Sequence, residues 1–339
     1  MVLLTRLAKT PEVSSEAPME DIASFQVDWN LPRDVLEEVV RQATGSGVAR
    51  DQRILDGHSC EVHGVTTREG RSVIVRVARR PGPVFERELW PIAAARRLGL
   101  PVPEMLLIEH TSLEGQPVSF NVQERLEGRI LHRLRPELSE EELSRLTREA
   151  GRFLAAIHSI PVPGPGPIGR TGQVDPTLAT DRDDITEGLT DRSAYLVDHG
   201  IDAALVGLAE HFVLSQVELL GRAPIRLVHG DWSLANLLSD GRSITGIVDW
   251  EGARADDPAC DRTQWDQWHD HGPTAAEVLM AGYLEAGGSP DPELEQRRRV
   301  RRVANLHHAA VHFIATDRPD LLNPVLEHLR DTLQGHGLQ

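Results

Sequence analysis

The chain has 339 residues, of which 26% are charged and 40% hydrophobic, and its formal net charge at pH 7 is −16. This length is sufficient for two lobes around a sizeable core. The acidity argues against a nucleic-acid binder, because phosphate contacts need a concentrated basic surface. No uninterrupted apolar run approaches the roughly 18 residues of a membrane span. The first residues also lack the features of a signal peptide, so we predict a cytoplasmic protein without membrane contacts.

Two residue types restrict the chemistry. Cys60 and Cys260 are the only cysteines and have no CxxC spacing, so neither a disulfide framework nor a cysteine-based zinc site is predicted. Lys9 is the only lysine and lies in a polar segment over residues 1–30 that we interpret as an N-terminal arm. A mechanism that needs a lysine in a folded core is therefore excluded.

The elements predicted between residues 31 and 126 are mostly strands. A helix begins near Pro32 and ends before Gly45. Short runs rich in β-branched residues, at 52–55, 61–67 and 72–77, are typical of an antiparallel meander. A helix over 84–98 and strands over 104–109 and 117–126 follow. We expect residues 31–126 to form one lobe.

The elements predicted after residue 126 are mostly helices. An amphipathic helix covers 137–160, two short strands at 225–228 and 244–248 each precede a polar residue, and helices follow from 274. A formal GxGxxG match at 164–169 follows a helix and contains prolines, so we interpret it as a linker. Early strands and late helices favour an α+β fold with two lobes, the second over 127–339 and mostly helical.

The segment from 171 to 221 is strongly acidic, with ten carboxylates and only two arginines. It is either a solvated surface or a negative wall that attracts a cationic substrate.

Three oxygen-bearing side chains follow the two short strands. Asp231 and Asn236 lie in the loop after 225–228, and Asp249 ends the next strand. A loop and an adjacent strand end can bring such groups to one point, and oxygen ligands of this kind suit magnesium. Phosphoryl transfer needs metal ligands and a group that orients the attacking hydroxyl.

These motifs resemble a known family. HGD-(x)4-N at 229–236, followed by IVDWE at 247–251, is similar to the signature of the aminoglycoside phosphotransferase and choline kinase superfamily, whose members have a protein-kinase-like fold. The resemblance implies that Asp231 is the catalytic base and that Asn236 and Asp249 hold Mg²⁺. The downstream DPACD at 257–261 resembles the DPxxD element of the family, which gives Asp261 a structural role as anchor of the catalytic loop.

The resemblance extends into the lobe at 31–126. It implies that this lobe binds the nucleotide and that ATP or GTP is the phosphate donor. Arg76 stands where protein kinases have a phosphate-binding lysine, and a guanidinium can hold phosphates in a bidentate manner. Glu88 is its expected ion-pair partner, with Glu86 as the second choice. A salt bridge of Arg76 without nucleotide contact is the alternative.

Weaker assignments concern the rest of the nucleotide. The glycine-rich loop is incomplete, so the backbone amides of Ser59 and Cys60 would cradle the phosphates. Backbone groups of Glu124 and Leu126 would bind the adenine edge.

Several histidines and acids have competing interpretations. His229 is predicted to be a structural hydrogen-bonding residue rather than the base. Glu251 either assists metal or substrate or makes a structural hydrogen bond. His307, His308 and His312 contain an i, i+4 pair, but without HExxH order we favour a helix surface or a pocket wall over a zinc site.

The acceptor is the least determined part. Glu251 and a cluster after the DPxxD element would line its site: Trp265, Asp266, Trp268 and Asp270. We expect a small-molecule hydroxyl acceptor, first an antibiotic of aminoglycoside, macrolide or nucleoside type. The alternatives are a metabolic kinase of choline, homoserine or a sugar, and an inactive nucleotide-binding regulator. The oligomeric state is left open.

Overall fold

The computed structural model describes residues 30–54, 60–79, 82, 84–174, 181–267 and 275–335. The predicted arm, apart from residue 30, and the site candidates Ser59, Trp268 and Asp270 lie outside these residues. For Asp266 only the backbone is described.

A five-stranded antiparallel sheet forms the first lobe. Its strands are β1 Val48–Ile54, β2 Glu61–Thr67, β3 Ser72–Ala78, β4 Met105–Leu113 and β5 Gln116–Glu124. They are arranged in the order β1-β2-β3-β5-β4. Helix α1, Arg33–Thr44, precedes the sheet, and helix α2, Glu86–Arg97, connects β3 to β4. We call these elements the N-lobe and the remainder the C-lobe.

The two faces of the sheet bury different residues. Strand residues alternate between faces, and one set, which includes Val65, Val75 and Val122, packs with Leu36 and Val40 of α1 in an apolar core. The opposite face carries Arg76 and its neighbours and looks towards the C-lobe. Alternation within β3 thus places hydrophobic residues under α1 and Arg76 in the cleft between the lobes.

The C-lobe is mainly helical. Its helices are α3 Leu131–Leu134, α4 Glu140–His158, α5 Asp181–Thr186, α6 Leu189–Asp198, α7 Ala203–Leu220, α8 Ala259–Gln267, α9 Ala275–Glu285, α10 Leu294–Ala315 and α11 Pro319–Gln334. Its short strands are β6 Arg129–Ile130, β7 Gly166–Pro167, β8 Arg226–Val228, β9 Leu237–Ser239, β10 Ile244–Ile247 and β11 Arg254–Asp256. They form two three-stranded sheets, β10-β9-β6 and β7-β11-β8, which hold the loops at 229–236 and 248–253 side by side.

Helix α4 shows how sequence determines a C-lobe element. Ser139 and Glu142 form a capping box at its start, in which each side chain binds the backbone amide of the other. Leu146, Leu154 and Ile157 lie on one buried face. The predicted amphipathic helix is therefore present, with its stripe in the main apolar core of the C-lobe.

Helix α7 is the one helix in the described part of the chain that could cross a membrane by length and composition. Leu205, Val206 and Val213 on this helix pack in a second C-lobe core with α10 and α11. Because a core helix passes the same test, we regard α7 as a packing element of the C-lobe.

The predicted fold class is confirmed: an antiparallel sheet lobe precedes a mostly helical lobe. The predicted lobe boundary at residue 126 falls between β5 and β6. The linker at 164–169 contains β7, which pairs with β11. The acidic segment, for which no elements were predicted, contains the helices α5, α6 and α7.

Candidate active site

The loop after β8 contains the HGD motif and turns sharply at Gly230. Gly230 has φ +81, and a Cβ on it would lie 2.0 Å from the carbonyl oxygen of Gly252. A side chain at this position would be strained and would collide with backbone. The glycine of the motif therefore lets the loops at 229–236 and 248–253 approach each other.

Asp261 binds the backbone of this loop. Its carboxylate accepts hydrogen bonds from the backbone amides of His229, at 2.9 Å, and Gly230, at 2.7 Å. The Nε2 atom of His158 lies 3.0 Å from the same carboxylate. Asp261 is fully buried, and its contacts are those of a loop anchor, the role that the resemblance implies.

His229 is also fully buried and its contacts are structural. Its Nε2 donates to the carbonyl oxygen of Val248, 3.0 Å away, and its ring packs against the indoles of Trp232 and Trp250. This hydrogen bond links the two loops. A ring enclosed in this way does not face the cleft, so the geometry supports a structural role rather than that of a base.

Asp231 and Asn236 are in direct contact. The Nδ2 atom of Asn236 lies 2.8 Å from both the carbonyl oxygen and the Oδ2 atom of Asp231. With Nδ2 used in this way, the Oδ1 atom of Asn236 is the group left for a cation. Asp231 is partly exposed, so its carboxylate remains open to the cleft.

Asp249 follows β10 in an unusual backbone conformation. Its φ of 62° and ψ of 61° are left-handed, which costs a non-glycine residue about 1–3 kcal/mol. The conformation turns its carboxylate out of the strand, leaving the side chain 40% exposed, and Oδ1 lies 3.2 Å from Nη2 of Arg76. The strained residue is thus the one that reaches the N-lobe.

Arg76 and Glu88 form a buried ion pair. Nη1 of Arg76 lies 2.8 and 2.7 Å from the two carboxylate oxygens of Glu88. Burial raises the pKa of Glu88 to about 7, although Arg76 opposes the shift. Glu251 lies 3.9 Å from Nη2 of Arg76. The structure thus pairs Arg76 with Glu88 rather than Glu86, as predicted, and also brings Asp249 and Glu251 to the same guanidinium.

The oxygen atoms of Asn236 and Asp249 fit a magnesium ion that is shared with phosphates. Mg²⁺ in such sites takes one or two carboxylates and completes its shell with water and substrate oxygens. Within the described residues, no group of three His, Cys, Asp or Glu side chains could hold a metal. The donor set of one amide oxygen and one carboxylate fits a Mg²⁺ ion whose shell is completed by other oxygen atoms.

At the other end of the cleft, the backbone after β5 is partly free. The amide of Glu124 donates to the carbonyl of Glu104 at 2.8 Å, so it is already used within the lobe. Leu126 makes no backbone hydrogen bond in the described chain. Of the two predicted adenine contacts, Leu126 has a free amide, whereas Glu124 can offer only its carbonyl. Cys60 is buried beside Ala78 and Phe85.

A family model described as "Phosphotransferase enzyme family" matches residues 52–303, which include every described element of this site. The chain belongs to the phosphotransferase enzyme family. No curated protein matches the sequence.

Solved structures of phosphotransferases match nearly the whole chain. A thermostable mutant of aminoglycoside phosphotransferase APH(4)-Ia, in ternary complex with ADP and hygromycin B, is 22% identical with a TM-score of 0.67, covering 90% of this chain and 99% of that one. ADP-bound APH(2'')-Ib is 16% identical with a TM-score of 0.61, covering 91% and 100%. The gentamicin–APH(2'')-IIa complex is 16% identical with a TM-score of 0.59, covering 90% and 97%. At these identities the likeness establishes the shared fold.

The predicted acceptor residues of this phosphotransferase are not all placed in the cleft. Trp265 is fully buried in the C-lobe core, so we leave it out of the acceptor site that we propose. Glu251 is mostly buried, and its carboxylate lies 3.9 Å from Nη2 of Arg76. Trp268, Asp270 and the side chain of Asp266 remain predictions, because they lie outside the described parts.

The three histidines of α10 lie in the C-lobe. His307 is buried, and its Nε2 lies 3.1 Å from the hydroxyl of Ser193. Burial lowers the pKa of His307 and of His308 to about 4. Of the predicted alternatives, His307 fits neither a helix surface nor an open pocket wall, because its ring is enclosed in the C-lobe.

Sequence reasoning did not find the contact that supports α2 from the C-lobe. The turn after β7 reaches the N-lobe at Trp90: a Cβ on Gly172, which has φ +90, would lie 2.2 Å from the indole Nε1. Trp90 follows Glu88 by two residues on α2. The sequence shows Trp90 near the predicted Glu88 and, much later, Gly172. Nothing in the sequence indicates that Trp90 and Gly172 are in contact.

Proposed function

We propose that the enzyme transfers the γ-phosphate of ATP or GTP to a hydroxyl group of a small molecule. The observation that carries this proposal is the meeting of two sets of residues in one cleft. Asp231, in contact with Asn236, belongs to the C-lobe loop. Asp249 binds Arg76 of the N-lobe sheet. Phosphoryl transfer depends on placing donor and acceptor between such groups, since the protein forms no covalent intermediate.

Asp231 is the residue that would orient the acceptor. Asn236 fixes Oδ2 of this carboxylate, so Oδ1 is left to accept a hydrogen bond from the attacking hydroxyl. The hydroxyl oxygen forms its bond to phosphorus as the bond to the nucleoside diphosphate breaks, and Asp231 takes the hydroxyl proton. His229, turned to the Val248 carbonyl, takes no part in this transfer.

Arg76 is arranged to hold donor phosphates. Glu88 occupies Nη1 of the guanidinium, which leaves Nη2 directed at Asp249 and the open cleft. A phosphate oxygen can take the place of Asp249 at Nη2, and this frees the Asp249 carboxylate. Asn236 and Asp249 would then hold Mg²⁺, which when bound neutralises negative charge on the phosphate oxygens.

Two substitutions test the assignment of roles. Asp231→Asn should reduce turnover at least about a hundredfold with little change in nucleotide binding, because it removes only the proton acceptor. Asp249→Ala should abolish the magnesium dependence of nucleotide binding, measured by calorimetry with and without the metal. Full activity of either variant contradicts the proposal. Nucleotide binding without transfer to any acceptor would instead identify an inactive regulator.

We propose an antibiotic as acceptor, and the acidic segment supports this. Glu187, Asp191 and Asp198, on and beside α6, are exposed and form no ion pair within the described residues. Unpaired carboxylates attract cationic molecules, such as aminocyclitols. The solved relatives act as precedents: APH(4)-Ia binds hygromycin B and APH(2'')-IIa binds gentamicin in their crystal structures. Macrolide and nucleoside antibiotics are the other classes to test.

Expression in a sensitive bacterium tests the acceptor class directly. The wild-type enzyme should protect against at least one antibiotic of a panel that contains aminoglycosides, macrolides and nucleosides. Protection should be lost with Asp231→Ala, produced at the same level as the control. Protection retained by this variant, or absent throughout the panel, contradicts the antibiotic assignment. In the second case choline, homoserine and sugars are the acceptors to assay.

A further inference from the structure

Arg125 is the first residue after β5, and its side chain lies across β2. Nη1 and Cζ of Arg125 are 2.9 and 3.5 Å from the position that a Cβ on Gly64 would take. The Cδ1 atom of Ile54 is 3.5 Å from the same position. Gly64 thus provides the space in which the guanidinium packs on the sheet, since even an alanine there would push it away.

The register of the sheet shows which face Arg125 covers. Val62 is opposite Arg76 and Gly64 is opposite Ile74 in β3, so Gly64 lies on the same face as Arg76. Arg76 binds Asp249 of the C-lobe from this face, which therefore forms the roof of the cleft. Gly64 lies two residues beyond Val62 along β2. It is therefore about 7 Å further than Val62 from the Arg76 end of the cleft, where we propose that the phosphates bind.

The surroundings of Arg125 are suited to a flat apolar ring. Ile54 and Val62 are opposite each other in β1 and β2 and share the cleft face. On the C-lobe side, the Cδ1 atoms of Leu126 and Leu238 lie 2.9 and 2.8 Å from where a Cβ on Gly246 would be. The cleft end at Arg125 is therefore bounded by aliphatic side chains from both lobes and by the free amide of Leu126.

Arg125 has no ion pair or side-chain hydrogen bond within the described residues. The neighbouring carboxylate of Glu124 is directed elsewhere, since it accepts from the amide of Glu104 at 3.2 Å and lies 3.6 Å from Arg96. The backbone of Arg125 is fixed by its amide, which donates to the carbonyl of Ser72 at 3.3 Å. Arg125 is exposed, and a guanidinium that packs on the sheet without a carboxylate partner in the described chain is available to a ligand.

We propose that Arg125 binds the purine base of the phosphate donor by stacking its guanidinium on the face of the ring. This inference rests on the proposed function, because it takes the cleft to be the nucleotide site. Guanidinium is planar and weakly hydrated and stacks well on aromatic faces. Stacking does not recognise the hydrogen-bonding edge of a base, so Arg125 contributes to the affinity for ATP and for GTP alike and leaves the choice between them to the backbone after β5.

The test compares nucleotides with a ligand that has no base. Dissociation constants of wild-type and Arg125→Ala enzyme are measured by calorimetry, with magnesium, for ATP, for GTP and for inorganic tripolyphosphate. Arg125→Ala should weaken binding of whichever nucleotides the wild type binds by about tenfold, an effect of the size of a desolvated cation–π contact, and should leave tripolyphosphate binding unchanged. Equal ATP binding by variant and wild type overturns the inference, and so does a parallel loss of tripolyphosphate binding, which would place Arg125 at the phosphates.

Two further variants separate stacking from charge. Arg125→Lys keeps the charge without the plane and should resemble Arg125→Ala, so full rescue by lysine overturns stacking. Gly64→Ala displaces the guanidinium and should weaken nucleotide binding in the same selective way. Arg71→Ala, at an exposed arginine that is 3.9 Å from Glu104, serves as the control and should bind like the wild type. If the wild type bound no nucleotide at all, the proposed function itself would fail, a result distinct from equal binding by wild type and Arg125→Ala.

Discussion

Arg76 and Arg297 are both buried arginines bound by carboxylates, but they lie in different surroundings. Arg76 shares its guanidinium between buried Glu88 and the partly exposed Asp249 of the other lobe. Arg297, on α10, has its Nε 2.7 Å from Oδ2 of Asp257 and also binds Asp291. One cluster borders the cleft, and the other is enclosed within the C-lobe.

The contrast shows what a buried ion pair can be used for. The Arg297 cluster continues to Arg301, which lies 3.1 Å from Asp256, so several charges satisfy one another inside the lobe. Asp257 begins the DPxxD element, whose last residue is the loop anchor Asp261. The Arg297 cluster therefore fixes α8 and its preceding turn to α10. The Arg76 cluster has one partner, Asp249, that a phosphate can replace.

The largest effect on stability is expected from Arg297→Met. Removing one partner of a buried ion pair typically costs about 3–5 kcal/mol of unfolding free energy, and Asp257 would keep only the more distant Arg301, 3.6 Å away, as an ion-pair partner within the described residues. Urea unfolding measures this change. As a control, Arg318→Met removes an arginine that is paired with Asp320 on the surface, and its unfolding midpoint should stay close to that of the wild type. Equal midpoints for the two variants would show that the Arg297 cluster does not hold the lobe together.

Arg76→Met should give the opposite pattern. Losing charge-assisted hydrogen bonds to phosphate should weaken nucleotide binding by about 1.5–3 kcal/mol, or roughly tenfold to a hundredfold. The loss of stability should be smaller than for Arg297→Met, because Arg76 borders the cleft and its second partner, Asp249, is partly exposed to solvent. Calorimetry and urea unfolding on both variants provide the comparison. Nucleotide binding by Arg76→Met with the affinity of the wild type would contradict the proposed role of Arg76.

The two clusters also differ in how far the sequence predicts them. Asp231, Asn236 and Asp249 lie within a short segment, so motif spacing was enough to indicate them. The contact between Arg76 and Asp249 joins residues 173 positions apart and depends on how the lobes meet, which local patterns do not encode. Trp265 illustrates the same limit, since the sequence showed an aromatic residue near the site but not that its ring points into the core.

The arginine run at 297–302 is a further case. Acids close by in the sequence account for part of its ion pairing, since Arg298 pairs with Glu295 and Arg297 with Asp291. In addition, Arg297 reaches Asp257 and Arg301 reaches Asp256, about forty residues earlier. Helical periodicity indicates which arginines share a face, but the acids opposite that face come from another part of the chain.

The pH dependence of stability provides a further test of the enclosed cluster. Burial raises the pKa of Asp256 from 3.8 to about 7, against the effect of Arg254. The folded state therefore holds the carboxyl proton of Asp256 more tightly than the unfolded state does. The contribution of this proton to stability is fully present below pH 3.8 and is lost as the pH rises through 7. Asp256→Asn should therefore gain stability relative to the wild type between pH 5 and 7, by at most about 1.4 kcal/mol per pH unit. Urea unfolding at several pH values measures this difference, and a constant difference contradicts the assignment.

The smallest expected effect on nucleotide binding comes from the contact between Gly172 of the C-lobe and Trp90 of α2, the helix that carries Glu88. Gly172→Ala places a methyl group against Trp90 of α2, two residues from Glu88, and should shift the helix that positions Arg76. Gly115→Ala is a matched control, because Gly115 has a similar φ of +79 but nothing within 4 Å of a Cβ. Backbone strain should cost both variants about 1 kcal/mol of stability or somewhat more, and the clash with Trp90 should add to the loss in Gly172→Ala. Only Gly172→Ala should raise the KM for nucleotide several-fold, at unchanged kcat, with partial recovery when Trp90→Phe relieves the contact. An equal KM for the two glycine variants would mean that Arg76 is positioned within the N-lobe alone.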